Sequence, residues 1–124
     1  MKTTLFFLFS IISLSVSAQT SSARTERDAE ILADSVYEKL MDGADFGALV
    51  ARYSEDPGSK NKGGKYFEVA EGAFAPEFEE QVLKLQLLEI SKPFRSPFGY
   101  HVAQLLTRSE NRYTVRHILI KCGD

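Results

Sequence analysis

Between Ala29 and Leu40, apolar residues fall at spacings of three and four (Ala29, Leu32, Ala33, Val36, Tyr37, Leu40), which predicts a helix with one buried stripe. Thr25 with Asp28 three residues on forms a capping arrangement at its start, and Gly43 stands where a C-terminal cap belongs. Phe46, Leu49, Val50 and Tyr53 repeat the helical spacing over a shorter run, with Asp45 as N-cap. The pattern then breaks: Ser54 to Gly64 holds Pro57, Gly58, Ser59, Asn61, Gly63 and Gly64 and reads as a loop. Tyr66, Phe67 and Val69 predict a short strand, and Pro76 to Leu85 a short helix with Phe78, Val82 and Leu85 on one face. Ile90 to Arg95 reads as an edge strand interrupted by Pro93.

Strict alternation takes over at the C-terminal end. Tyr100, Val102, Gln104 and Leu106 oppose His101, Ala103 and Leu105, and Val115, His117 and Leu119 oppose Arg116, Ile118 and Ile120. With Arg108 to Asn111 as a turn, these two runs predict a hairpin. No internal repeat is present, which removes solenoids and propellers.

At the other end, Leu5 to Val16 is mostly apolar, follows Lys2, and precedes the small residues Val16-Ser17-Ala18. This is the pattern of a signal peptide over residues 1–18, with cleavage after Ala18 and no stable membrane anchor afterwards. Residues 19–24 read as a flexible Ser/Thr-rich leader and residues 25–124 as one domain. Loss of Lys2 would take the net charge from −2 to −3, a mildly acidic balance that argues against nucleic acid as partner. Cys122 is the single cysteine, so an internal disulfide and paired-cysteine chemistry are excluded, and stability must come from packing of the nine Phe, five Tyr and the aliphatic residues.

Candidate chemistry is sparse. His101 and His117 are the only histidines, and the hairpin would set them roughly opposite each other on one face. They read either as a buried pair that fixes the sheet or as the polar centre beneath a binding site. No third residue has the spacing of a metal ligand, so no metal is expected. Glu55 and Asp56 are by default turn acids, Lys60, Lys62 and Lys65 a solvated face, and Phe74, Phe78 and Phe98 core residues.

As an ordered set these features say more. Gly43-Ala44-Asp45-Phe46, Ala51-Arg52-Tyr53-Ser54-Glu55-Asp56, a polar loop to Gly63-Gly64, then Gly72-Ala73-Phe74-Ala75-Pro76-Glu77-Phe78-Glu79 and Phe98-Gly99-Tyr100-His101-Val102 follow in the order and near the spacing of a known pattern. From about Glu26 to Leu106 the chain resembles the parvulin (PpiC, rotamase) family of peptidyl-prolyl cis-trans isomerases, in particular one domain of exported bacterial tandem-parvulin foldases. The resemblance implies an α+β, FKBP-like fold: a four-stranded antiparallel sheet flanked by about three to four helices. It also implies a cofactor-free isomerase of X-Pro bonds that acts on proline-containing segments of unfolded exported proteins, in the periplasm. Catalytic positions carry over to Asp56, Ser96, His101 and, through the His117-Ile118-Leu119 motif, His117; the substrate-binding set falls on Tyr66, Phe74, Phe78 and Phe98. A non-catalytic, chaperone-like peptide-binding module and a truncated fragment are the alternatives.

Two departures stand out. Gly64-Lys65-Tyr66-Phe67 replaces the family's usual run of two glycines, an acid, Leu and Gly, which makes the wall at Tyr66 bulkier. The family's first strand, which should precede the helix at Glu26, is instead matched by Val115 to Lys121. Residues 113–124 are then either a permuted first strand or the start of a truncated second domain. In both cases an empty central slot would leave two rows of backbone groups unpaired, so the segment is expected to fill the sheet.

Overall fold

The computed structural model describes residues 24–123. The expected signal peptide and all of the leader except Arg24 lie outside the described residues. Arg24 itself is held, with its guanidinium on the Glu55 carboxylate and on the carbonyl of Lys121 (2.8 Å).

Helix α1 (Glu26–Met41) begins where the Thr25 hydroxyl accepts the Asp28 amide proton at 3.0 Å. It buries Ala29, Ala33, Val36 and Leu40. Helix α2 (Phe46–Tyr53) is capped by Asp45, whose carboxylate accepts from Ala48 N at 2.9 Å, and buries Phe46, Leu49 and Val50. A loop with one 3-10 turn leads to β1 (Lys65–Ala70), followed by α3 (Pro76–Leu83), β2 (Phe94–Ser96), β3 (Gly99–Arg108) and β4 (Arg112–Lys121). The strands form one antiparallel sheet in the order β1-β4-β3-β2. The C-terminal strand thus occupies the central slot.

Alternation along β3 and β4 sorts side chains to two cores. Val102, Ile118 and Ile120 meet α1 and α2 on one face. Ala103, Leu105, Tyr113 and Val115 meet Phe78, Val82 and Phe94 on the other. β4 alone buries Tyr113, Val115, Ile118, Leu119 and Ile120. At roughly 2 kcal/mol for each large side chain, their burial is worth on the order of 10 kcal/mol. That matches the whole stability of a typical small domain, about 5–15 kcal/mol. The fold depends on this strand.

Three expectations shift. The strand expected over Ile90 to Arg95 is an isolated bridge, Ile90 to Gln104, and a three-residue strand that starts only after Pro93. Proline has no N–H to give a ladder, so pairing begins beyond it. α3 ends at Leu83 and not at Leu85. In the hairpin, His101 pairs with Leu119 and Ala103 with His117, so the histidines share a face but sit two residues out of opposition. The turn of Ser109 to Asn111 would by itself set His101 against Ile120, and a bulge between Leu105 and Thr107 shifts the register by one and returns both histidines to one face.

Candidate active site

The loop 54–64 is pinned to β4 at both ends. Glu55 N donates to Leu119 O at 2.8 Å, Leu119 N to Ser54 Oγ at 3.2 Å, and His117 N to Gly64 O at 2.9 Å. Gly64 has φ +81°, and a Cβ there would lie 2.5 Å from His117 O and 2.8 Å from Val50 Cγ2. Only glycine permits the loop to lie this close to the strand. The staple brings Asp56 to His117.

Asp56 Oδ2 accepts from His117 Nε2 at 2.8 Å, Tyr66 Oη at 2.7 Å and Ser59 Oγ at 2.6 Å. His101 and His117 approach through their Nδ1 atoms at 3.1 Å, and His101 Nε2 lies 2.5 Å from Ser96 Oγ. Phe98 N donates to the same Ser96 oxygen at 3.1 Å. A carboxylate only accepts, so His117 Nε2–H donates to Asp56, while between the two Nδ1 atoms one imidazole donates and the other accepts. An unbroken hydrogen-bonded chain thus links Ser96 through both imidazoles to Asp56.

Burial opposes ionisation of Asp56, but the hydrogen bonds from His117, Ser59 and Tyr66 outweigh it and hold the carboxyl well below the usual range. Burial and then the neighbouring His117 depress His101 to about 3, so it is neutral at physiological pH. Burial and the Asp56 carboxylate push the Tyr66 phenol to about 12, which keeps its proton in place as a donor. The imidazoles are 3% and 4% exposed.

Above this chain opens a cleft of about 350 Å³ lined by Asp56, Tyr66, Phe74, Phe78, His101 and His117 among others. Phe78 is its floor: its ring lies 5.1 Å from that of His101 and 5.3 Å from that of His117, edge-on to both. Phe74 meets Phe78 at 5.6 Å and Tyr66 at 4.9 Å, again edge-to-face, and forms the wall. Phe98, 62% exposed on the β2–β3 turn, stands at the mouth. All eight residues singled out in the sequence thus meet in one place: Asp56, Tyr66, Phe74, Phe78, Phe98, His101 and His117 line the cleft, and Ser96 lies beneath it on His101. His117 has hydrogen-bond partners beyond the sheet in Asp56 and Ser59, while His101 bonds Ser96 of β2. Among the described residues no group of three His, Cys, Asp or Glu side chains is arranged to hold a metal.

Two participants were not singled out from sequence. Ser59, fully buried, bonds Asp56 and lies 3.2 Å from His117 Nε2. Its signal is the Asp-x-x-Ser spacing across the Pro-Gly turn, which reads equally as ordinary turn chemistry. Glu79 is buried beside Phe78; its signal is a carboxylate with Val82 and Leu83 three and four residues on, at the edge of the apolar stripe of α3.

Comparison with known proteins supplies the family. The sequence profile of the PPIC-type PPIASE domain matches residues 7–109. The chain is 46% identical over 81 residues to "Foldase protein PrsA 4" of Bacillus cereus, covering 65% of this chain and 29% of that protein. It is 43% identical over 88 residues to "Chaperone SurA" of Pseudomonas aeruginosa, covering 71% of this chain and 21% of that protein. The chain therefore spans a fifth to a third of the length of these relatives. Among solved structures, the peptidylprolyl isomerase PrsA of Bacillus cereus superposes with a TM-score of 0.62 at 38% identity, over 70% of this chain and 40% of that one. PrsA of Bacillus anthracis superposes with a TM-score of 0.55 at 31% identity, over 83% and 40%. With a four-stranded antiparallel sheet and three α-helices among the described residues, and a family profile matching most of its length, the chain belongs to the PPIC-type (parvulin) family of peptidyl-prolyl isomerase domains.

Proposed function

We propose that this chain accelerates cis-trans rotation about X-Pro bonds, and that its substrates are proline-containing segments of unfolded exported proteins. The observation that carries the reading is the hydrogen-bonded chain Ser96–His101–His117–Asp56 lying directly under an aromatic cleft roomy enough for a proline and its neighbours. Family membership and the printed descriptions of the relatives as foldase, chaperone and peptidylprolyl isomerase support it. Export is supported by the apolar N-terminal run ahead of Ala18.

The uncatalysed barrier is roughly 20 kcal/mol because rotation breaks amide resonance. In the planar form the carbonyl oxygen carries excess negative charge, and in the twisted form much of that charge returns to nitrogen. Water stabilises the planar dipole; an aromatic cleft does so less. A fixed carboxylate beside the bond also raises the planar form relative to the twisted one, which lowers the barrier without any covalent step. In this scheme Phe74 and Phe78 hold the proline ring, Tyr66 and Phe98 border the flanking residues, and Asp56 is the fixed charge. His117, His101 and Ser96 hold that charge in place and keep it ionised.

A protease-coupled assay on an X-Pro peptide, with peptide binding measured in parallel, tests the proposal. Turnover by the chain, reduced in Asp56→Ala and Ser96→Ala variants that still unfold cooperatively, is the expected result. Binding without turnover would replace the isomerase with a peptide-holding module.

A further inference from the structure

Glu79 is a buried carboxylate that the scheme above does not use. It is 8% exposed, stands next to Phe78 on α3, and among the described residues makes no hydrogen bond to the polar chain under the cleft. Its two oxygens are both engaged by the loop that carries Phe74: Gly72 N donates to Oε1 at 2.7 Å and Phe74 N to Oε2 at 3.1 Å. The loop's other amides are tied elsewhere, Glu71 N to Asn111 O at 3.0 Å and Ala73 N to Ala70 O at 3.1 Å. Phe74 joins α3 through Ala75, whose carbonyl accepts from Phe78 N and Glu79 N at 3.0 Å, and the Glu79 side chain adds the tie from the helix back to the loop amides.

A buried carboxylate is costly unless its charge is compensated. Burial here opposes ionisation, but the Gly72 and Phe74 amides outweigh it and hold the Glu79 carboxyl below its usual range. From β4, the fully buried Tyr113 closes the other side. Its hydroxyl lies by the Glu79 carboxylate without a well-formed hydrogen bond, and burial together with the Glu79 charge pushes its pKa up. Such a group is not surface decoration. It fixes a loop whose one large side chain is half of an aromatic pair.

We propose that Glu79 is a positioning residue for the cleft: by accepting the Gly72 and Phe74 amide protons, it sets where the Phe74 ring stands against Phe78, and so how tightly a proline ring is gripped. The inference rests on the reading of Phe74 and Phe78 as the proline-holding pair. Glutamine in place of Glu79 keeps the shape but offers one acceptor oxygen, so one loop amide must face an NH₂ group. Aspartate keeps the charge but withdraws it from the loop by one methylene. Either change frees the wall and leaves the polar chain from Ser96 to Asp56 untouched.

The test uses the full chain with Glu79→Gln and Glu79→Asp, read by amide exchange, by calorimetric affinity for an X-Pro peptide, and by KM and kcat on the same peptide. Exchange should quicken at residues 72–74 while residues 102–105 and 115–120 keep their protection. Affinity should fall and KM rise about fivefold, the size of one hydrogen bond, with kcat within about twofold of the parent. Unchanged affinity and KM with freed loop amides would overturn the proposal, as would a fall in kcat at constant KM. Loss of cooperative unfolding in both variants would overturn it too, since Glu79 would then support the domain and not the wall. A parent chain that binds the peptide without turning it over defeats the isomerase reading but leaves affinity and exchange to decide the role of Glu79. A parent chain that does not bind the peptide overturns both.

Discussion

At the scale of single residues, the site depends on charge held still. Asp56 gathers three side-chain donors on one oxygen, and replacing it with Asn keeps the shape and one acceptor oxygen but loses the charge and the second acceptor, which takes the Gly58 amide. Asp56→Asn should lower kcat/KM at least about tenfold, while peptide affinity changes less than about threefold. The protease-coupled rate and calorimetry measure the two quantities. Gly64 supports the same geometry from behind. Gly64→Ala should destabilise the domain by about 2–3 kcal/mol, because strain at positive φ adds to a clash with the His117 carbonyl. Gly72→Ala, at φ +92° with open space around it, should cost only about 1 kcal/mol, and urea unfolding of the two variants separates sterics from backbone strain. Asp56 stood out in the sequence only through the motif around it, since a lone acid before Pro-Gly is usually a turn former. Ser59 stayed invisible because its partner His117 lies 58 residues away, and no local pattern encodes a contact of that span.

At the scale of elements, β4 supplies both the central strand and half of the imidazole pair. Amides of residues 115–120 should exchange as slowly as those of residues 102–105, because the two runs share one ladder. Fast exchange at 115–120 with protection retained at 102–105 would show the strand to be detached. The period-two alternation of Tyr100 to Leu105 and Val115 to Ile120 made the hairpin and its two faces legible. The register was not, because the bulge between Leu105 and Thr107 adds one residue to β3 and shifts the pairing by one, which puts His101 and His117 on the same face. A bulge of this kind leaves no period signal to read. The edge strand was legible as an edge from Pro93, though its length was set by where the N–H groups resume.

At the scale of the whole molecule, burial of the polar chain makes stability depend on pH. His101 falls from its ordinary 6.5 to about 3 on folding, so between those values the unfolded chain binds a proton that the folded chain refuses. Its contribution is complete above pH 6.5 and is lost as pH falls toward 3. Asp56 has the same sign: its contribution is present above the ordinary carboxylate value near 4 and is lost below it. Urea midpoints should therefore decline steadily from about pH 6.5 downward, and a His101→Gln variant should show a flatter profile over pH 6.5 to 4. A parent profile that is flat over this range would mean that His101 is protonated in the fold.

The proposed function requires that the cleft and its buried polar chain lower the barrier to X-Pro rotation. The direct measurement is the cis-to-trans relaxation rate of an X-Pro peptide with increasing amounts of the full chain at neutral pH, beside the Asp56→Asn variant. The rate should rise in proportion to the parent chain and much less with the variant. A relaxation rate that stays at the uncatalysed value while the peptide is demonstrably bound would contradict it.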